Sequence, residues 1–262
     1  MIQNTNFDVM DSPLIAWDNL IGRATVTASS SAAGFPVTAL QNGVTSDPWV
    51  SGGSGGTVFI TLPAPEFASV LSFAAHNLFT RGVTVFIARR VGSNWVNVTS
   101  YTPTSDGPFM VSFPPVSASE WRVVMTATGA VSVAVMSLSL GLTIPGRIVP
   151  PHTPLHRVSE VELVGDSESG TGSFLQADFE RMGGRAQINF SVQLNDFATG
   201  DEFEAFRQNF NRGRPFFMAC FPRSYPQDMG YVWRGQRADS IVPAWQDAVF
   251  MSIGMVVSVY VR

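Results

Sequence analysis

Residues 34–49 read GFPVTALQNGVTSDPW, and the next seven residues, VSGGSGG, are rich in glycine. A polar loop therefore ends on a large aromatic residue, Trp49, directly before a conformationally permissive run. The indole can close the end of a β-sandwich, where burial would contribute about 1.5–3 kcal/mol or more, or it can offer its face to a stacked ligand. The position favours the scaffold interpretation, with the ligand interpretation as the alternative.

The segments around this loop alternate apolar and polar residues, as half-buried antiparallel strands do. Turn residues separate these segments at short intervals. They run from Ala24 to Leu142 and read ATVTASS, TVFITLP, SVLSFAAHNL, GVTVFIARR, WVNVTSY, FMVSFPP, WRVVMTATG and VSVAVMSLSLG. This pattern predicts a mostly β protein whose first half is a jelly-roll sandwich.

The chain is predicted to divide at residues 143–157, where four prolines resist regular strand pairing. Before this Pro-rich linker we place an N-terminal arm at residues 1–23 and the jelly roll at residues 24–142. After it, residues 158–262 form a second predicted domain.

The second domain carries one helical signal among its strand-like segments. Phe203, Phe206 and Phe210 fall at i, i+3 and i+7, which places three rings on one stripe of a helix. Thr199 and Glu202 match a capping box at the start of that helix. Since strand-like runs follow it, the sequence predicts a β-sandwich with one packed α-helix.

Composition limits the possible partners. The 262 residues include 14% charged residues and carry a net charge of -4. Because there is no basic excess to displace phosphate counterions, nucleic-acid recognition is not predicted. The longest apolar tracts have about 13 residues, fewer than the roughly 20 that span a bilayer. No signal peptide is evident, and we expect synthesis in a cytoplasm and a soluble protein.

Motifs for nucleophilic catalysis and phosphate binding do not occur, so we predict neither an enzyme nor a cofactor. The single cysteine, Cys220, lies in the apolar run PFFMACF, which is typical of a buried thiol. His152 and His156 have the i, i+4 spacing of zinc ligands on a helix, but prolines flank and separate them. Calcium takes six to eight oxygens, so Asn42 and Asp47 would need many backbone carbonyls beside them to bind it. We therefore predict no metal site.

Residues from about 24 to 142 resemble the discoidin or galactose-binding-like jelly roll. The pieces that carry the resemblance are ALQNG at 39–43 with Trp49, then TVFITLP, EWRVV at 120–124 and LSLG at 138–141. AHNL at 75–78 and GSNW at 92–95 are similar to this module in tail and baseplate proteins of tailed bacteriophages. RPFFMACFPRSYPQDMGYVW, after the helix, also resembles the C-terminal part of such proteins.

The resemblance implies a structural component of a long-tailed bacteriophage. It would be a tail-tip (distal tail or baseplate) subunit, assembled in the host cytoplasm as part of a homo-oligomeric ring in the virion tail. Its implied partners are other tail and baseplate proteins. The alternative that the resemblance implies is a carbohydrate-binding module for host attachment through a host glycan. The candidate ligand residues are Trp49, His76, Asn77 and Trp95.

Two charged groups are candidates for the contacts of such a ring. Glu160 and Glu162 share one face of a period-two strand. Arg207, Arg212 and Arg214 cluster at the end of the helix, where each exposed cation complements the dipole by roughly 0.3–1 kcal/mol. An acidic strand face against an arginine-rich helix end would join neighbouring subunits. A solvated helix end is the alternative.

Overall fold

The computed structural model describes residues 1–4, 11–144, 146–149, 152–157, 161–163, 167–168, 174–175, 180–182, 184–193, 200–234, 240–241, 244–245 and 250–260. Within these residues it contains eighteen strands and one α-helix, α1 (Gly200–Asn211). The strands are β1 (Ile2–Asn4), β2 (Leu14–Ala16), β3 (Thr25–Ala28), β4 (Trp49–His76), β5 (Thr84–Val91), β6 (Asn94–Tyr101), β7 (Phe109–Ser139), β8 (Leu142–Thr143), β9 (Gly146–Val149), β10 (Val161–Leu163), β11 (Ser167–Glu168), β12 (Phe174–Leu175), β13 (Glu180–Met182), β14 (Gly184–Gln193), β15 (Phe216–Ala219), β16 (Met229–Trp233), β17 (Ala244–Trp245) and β18 (Phe250–Tyr260). Short 3-10 turns cover Leu20–Arg23, Val37–Gln41 and Leu155–Arg157.

The first sheet has the strand order β3-β4-β7-β5-β6, and β1 lies beside β7. Residue numbers rise along β4 while the numbers of the paired residues in β7 fall, which is the register of antiparallel strands. Val58 lies opposite Val123, whereas Phe73 lies opposite both Phe109 and Met136. Two different parts of β7 pair with the same residues of β4, so β7 lies on both sides of this part of β4. The predicted jelly-roll sandwich is confirmed.

The core of this sandwich follows the period-two pattern of the sequence. Val58, Ile60 and Leu62 are buried, and Thr61 between them is exposed. Burying each of these aliphatic side chains contributes about 1.5–3 kcal/mol. The alternation therefore holds one face of β4 against the core.

The second sheet has the order β8-β2-β15-β16-β18-β14-β9, and β17 lies beside β18. The segment predicted as an N-terminal arm supplies β1 to the first sheet and β2 to the second. Inside the predicted Pro-rich linker, β9 pairs with β14. The last strand, β18, pairs with β14 along one side and β16 along the other. Two small antiparallel ladders, β10 with β13 and β11 with β12, come between β9 and β14 in the sequence.

Helix α1 packs its predicted aromatic stripe into the second core. Phe203, Phe206 and Phe210 are all buried. The Phe206 ring lies 5.1 Å from the ring of Phe216 and 6.4 Å from that of Trp17. The predicted packed helix is confirmed. Within the described ranges, no helix has the length and apolar character needed to cross a bilayer.

A third apolar cluster joins the two halves, and we call it the central layer. The jelly roll contributes Val70 and Met110 among others, and the second sheet contributes Phe217 and Tyr231. The rings of Phe217 and Tyr231 are 4.7 Å apart. The Tyr231 hydroxyl donates to the Gly43 carbonyl at 2.8 Å. The loop that precedes Trp49 is therefore tied to the second sheet.

Candidate functional site

Trp49 is a buried part of the scaffold. Its side chain is 0% exposed, and its Nε1 donates to Ser31 Oγ at 3.0 Å and to the Ser30 carbonyl at 3.3 Å. A Cβ added at Gly56 would lie 2.7 Å from the indole, so the glycine permits the close approach. With its edge hydrogen-bonded and its surface covered, the ring offers no open stacking platform.

His76 and Trp49 both pair with Val133, so they flank that residue of β7 on opposite sides. The His76 ring is 5.1 Å from that of Phe109, and its Nδ1 accepts the Leu78 N–H at 3.3 Å. Its Nε2 is buried without a hydrogen-bond partner in the described part of the chain. Burial lowers the pKa of His76 to about 4, and the nearby Asp106 carboxylate opposes that shift only in part.

The lowered pKa predicts acid sensitivity. A histidine with a pKa of about 6.5 when unfolded and about 4 when folded binds protons preferentially in the unfolded state between those values. Its stabilising contribution is thus complete above pH 6.5 and is lost as the pH falls toward 4. We expect a loss of up to roughly 3 kcal/mol. Urea titrations from pH 7 to 4 should show a flatter pH dependence for His76→Gln than for the wild type, and equal slopes would contradict the assignment.

Asn77 serves the backbone rather than open solvent. Its Oδ1 accepts the Ser132 N–H at 2.8 Å, and its Nδ2 donates to the Ala130 carbonyl at 3.5 Å. The side chain therefore ties the end of β4 to β7. Asn77 lies with Trp49 and His76 at one end of the sandwich.

Trp95 lies away from these three residues. It is the second residue of β6 and pairs with Arg90, and its ring faces the Arg122 guanidinium at 4.9 Å. At the other end of β6, Tyr101 contacts Phe109, the neighbour of His76. Six residues of strand span about 20 Å. The structure therefore does not bring the four candidate ligand residues into one site.

The candidate interface residues have different surroundings in the structure. Glu160 lies outside the described residues, and the backbone of Glu162 pairs with Arg181. Arg207 donates to both carboxylate oxygens of Glu204 on its own helix, at 2.7 and 2.6 Å. Arg212 and Arg214 are exposed after the helix. Arg207 is thus engaged within its own helix, and the two later arginines face solvent.

A cleft of about 550 Å³ lies between the jelly roll and the second half, and we call it the central cleft. Both halves line it, because β2 and the 3-10 turn after it cross from one sheet to the other. The lining residues considered below are Trp17, Asn19, Gln41, Asn42, Asn209, Arg214 and Tyr231. They come from four separate parts of the sequence, and no motif links them.

Most polar side chains of the central cleft hold its walls in place. Asn19 Oδ1 accepts the N–H groups of Ile21 and Leu138, each at 3.1 Å. Gln41 Nε2 donates to the carbonyls of Ile21 and Ala24. Asn42 Nδ2 donates to Asp47 Oδ2 at 2.6 Å. These bonds organise the cleft and leave few of its polar groups for a ligand.

Asn209 differs from these residues. It is 8% exposed, and its Nδ2 has no hydrogen-bond partner among the described residues. Arg214 and the partly buried Trp17 line the same cleft. The lining residues include neither histidine nor cysteine. The central cleft can therefore donate hydrogen bonds and stack an apolar surface, but its lining lacks the usual pairing of a nucleophile with a base.

Comparison with known proteins places the chain in no family. No family model and no curated protein matches it. Similar solved structures include a chitosan-binding module of a chitosanase/glucanase from Paenibacillus sp. IK-5, at 20% identity and a TM-score of 0.41, covering 46% of this chain and 97% of that chain. Another is CpGH89CBM32-5 from Clostridium perfringens in complex with GalNAc-β-1,3-galactose, at 13% identity and a TM-score of 0.41, covering 47% and 99%.

A third similar structure is a putative α-L-fucosidase from Bacteroides thetaiotaomicron. It has 16% identity and a TM-score of 0.41, and the match covers 47% of this chain and 28% of that chain. These similarities leave the function to be argued from the geometry of the cleft.

Proposed function

We propose that the protein binds a carbohydrate in the central cleft without altering it chemically. The observation that carries the proposal is the buried, unpaired amide of Asn209 in a cleft that also presents Trp17. A sugar offers hydroxyl oxygens to an N–H donor and an apolar ring face to an indole. The cleft volume of about 550 Å³ also lies within the range of about 300–1,000 Å³ typical of small-molecule sites.

The energetics of Asn209 support a ligand. An amide buried without a hydrogen bond costs about 1–3 kcal/mol. In the free protein this cost lowers stability, and a ligand hydroxyl that accepts the Nδ2 hydrogen bond would remove it. Arg214, exposed at the rim, supplies further donors for hydroxyl or carboxylate oxygens of a sugar.

Replacement of Asn209 by leucine tests this role. Since leucine has a similar size and no unpaired donor, we expect unchanged or higher stability together with at least about tenfold weaker glycan binding, or about 1.4 kcal/mol. A glycan array finds the ligand, and calorimetry with the strongest hit gives the affinity. Arg212→Ala is the control, because Arg212 is exposed near the cleft and does not line it. Equal binding by wild type and Asn209→Leu would refute the site.

The tail-tip role implied by the sequence resemblance stays a second proposal. The exposed Arg212 and Arg214 leave an arginine pair free of the helix's own carboxylates in the described part of the chain. Such a pair suits an acidic surface on a neighbouring subunit. A carbohydrate-binding cleft and membership of a virion ring are compatible, since a tail tip can also attach to the host.

A further inference from the structure

Three side chains with metal-binding atoms meet at the loop end of the β15–β16 hairpin. They are His152, Cys220 and Asp228, and a ligand atom of each lies within 4.8 Å of the other two. Cys220 directly follows β15, and its N–H donates to the Asp228 carbonyl at 2.9 Å. The hairpin therefore sets Cys220 and Asp228 side by side. His152 reaches them from the segment before the 3-10 turn.

Asp228 is the centre of this cluster. Its side chain is 4% exposed, and its Oδ2 lies 2.8 Å from His152 Nε2. Its Oδ1 accepts the Leu155 N–H at 2.7 Å and lies 3.8 Å from His156 Nδ1. A buried carboxylate is costly unless it is paired or binds a metal. Its hydrogen-bond partners among the described residues are the His152 imidazole and the Leu155 backbone amide.

The hydrogen bond to Asp228 does not satisfy the histidine. His152 Nδ1 is buried and has no hydrogen-bond partner in the described ranges. Cys220 is 0% exposed, so its sulfur is closed to a substrate. Burial and the Asp228 carboxylate raise the pKa of the thiol well above its usual range, which also argues against a nucleophile.

We propose that Cys220, His152 and Asp228 bind a zinc ion, with the His156 imidazole beside the cluster, 3.8 Å from Asp228 Oδ1. Thiolate, imidazole and carboxylate are all ligands of tetrahedral zinc, whose bonds of about 2.0–2.3 Å separate neighbouring ligand atoms by about 3.3–3.8 Å. Side chains already within 4.8 Å reach that spacing through small rotations. The ion would displace the thiol proton and fasten residues 152–156 to the hairpin.

The sequence pattern pointed away from this site. His152 and His156 have the spacing of ligands on one helical face, and the prolines around them disfavour a helix. In the structure the two rings approach one carboxylate without a helix, and the hairpin supplies the other ligands. The proposal therefore departs from the prediction of no metal site.

Metal titration of the full-length protein tests the proposal. Protein stripped with a chelator is titrated with Zn²⁺, Co²⁺ or Mg²⁺. We expect one Zn²⁺ per chain to survive dialysis, a higher Tm with Zn²⁺ than with Mg²⁺, and a sulfur-to-cobalt charge-transfer band with Co²⁺. Since the chain has a single cysteine, a thiolate band in the wild type can come only from Cys220, even if variants fold poorly.

Variants locate the ion. Cys220→Ser changes the volume little and should lose the cobalt band and the zinc-dependent rise in Tm. His76→Gln alters a buried histidine outside the cluster and should keep both. Loss of zinc from the wild type on dialysis together with no cobalt band, or Cys220→Ser binding zinc as the wild type does, would overturn the proposal.

Discussion

Replacement of Trp49 by alanine is expected to lower the free energy of unfolding by about 3–5 kcal/mol, as for other buried Trp or Phe residues truncated to alanine. The side chain is fully buried, and its Nε1 bonds to Ser31 Oγ and the Ser30 carbonyl. Truncation removes the apolar contacts, leaves a cavity against Gly56 and deprives two acceptors of a donor. Urea unfolding followed by far-UV circular dichroism measures the change.

Trp95→Ala is the matched control for this effect. Trp95 is partly exposed, and its ring lies 6.2 Å from that of Phe59. It also makes a cation–π contact with Arg122, worth about 0.5–1 kcal/mol at an exposed site. We therefore expect a clearly smaller loss than for Trp49. Equal losses for both tryptophans, or a loss below about 1 kcal/mol for Trp49→Ala, would contradict the buried scaffold role.

The local pattern of the jelly roll and of the helix could be predicted because it is periodic. Val58, Ile60 and Leu62 are buried as the period of two requires, and the Phe203, Phe206 and Phe210 stripe is buried as a helical period requires. Each pattern depends on residues a few positions apart, so the sequence displays it directly.

Pairings between distant segments could not be predicted in the same way. β2 has only three residues, LIA, too few to show a period, yet it pairs with β15 some 200 residues later. The central cleft depends on that pairing, because β2 carries Trp17 to the end of α1 and Asn209. Its lining residues share no spacing, so only the fold reveals them.

The same reason explains why the sequence does not show which of the candidate ligand residues are buried. An aromatic residue after a polar loop has the same local pattern whether its ring is buried or exposed. The burial of Trp49 depends on contacts with Gly56 and with Ser30 and Ser31, which are separated from Trp49 in the sequence but close to it in the fold. Trp95 is the same kind of residue as Trp49, but it lies at the end of β6 away from Tyr101 and His76.

Truncation of Phe206 to alanine should destabilise the second half by about 3–5 kcal/mol. Phe206 is 0% exposed and lies at the centre of an aromatic cluster. Its ring contacts those of Trp17, Phe203, Phe210 and Phe216 at centroid distances of 5.1–6.4 Å. The cavity would loosen α1 and the support beneath Trp17, so carbohydrate binding in the central cleft should weaken as well.

The control for Phe206→Ala is Gln208→Ala, an exposed position on the same helix, where we expect a change within about ±0.5 kcal/mol. Because β2 and the central layer join the halves, Phe206→Ala and Trp49→Ala should lower the midpoint of one shared unfolding transition. Urea curves recorded by tryptophan fluorescence and circular dichroism would then coincide for each variant. Two separate transitions, with Phe206→Ala moving only one of them, would show that the central layer is too weak to couple the halves, and that the cleft between them can open without unfolding either one.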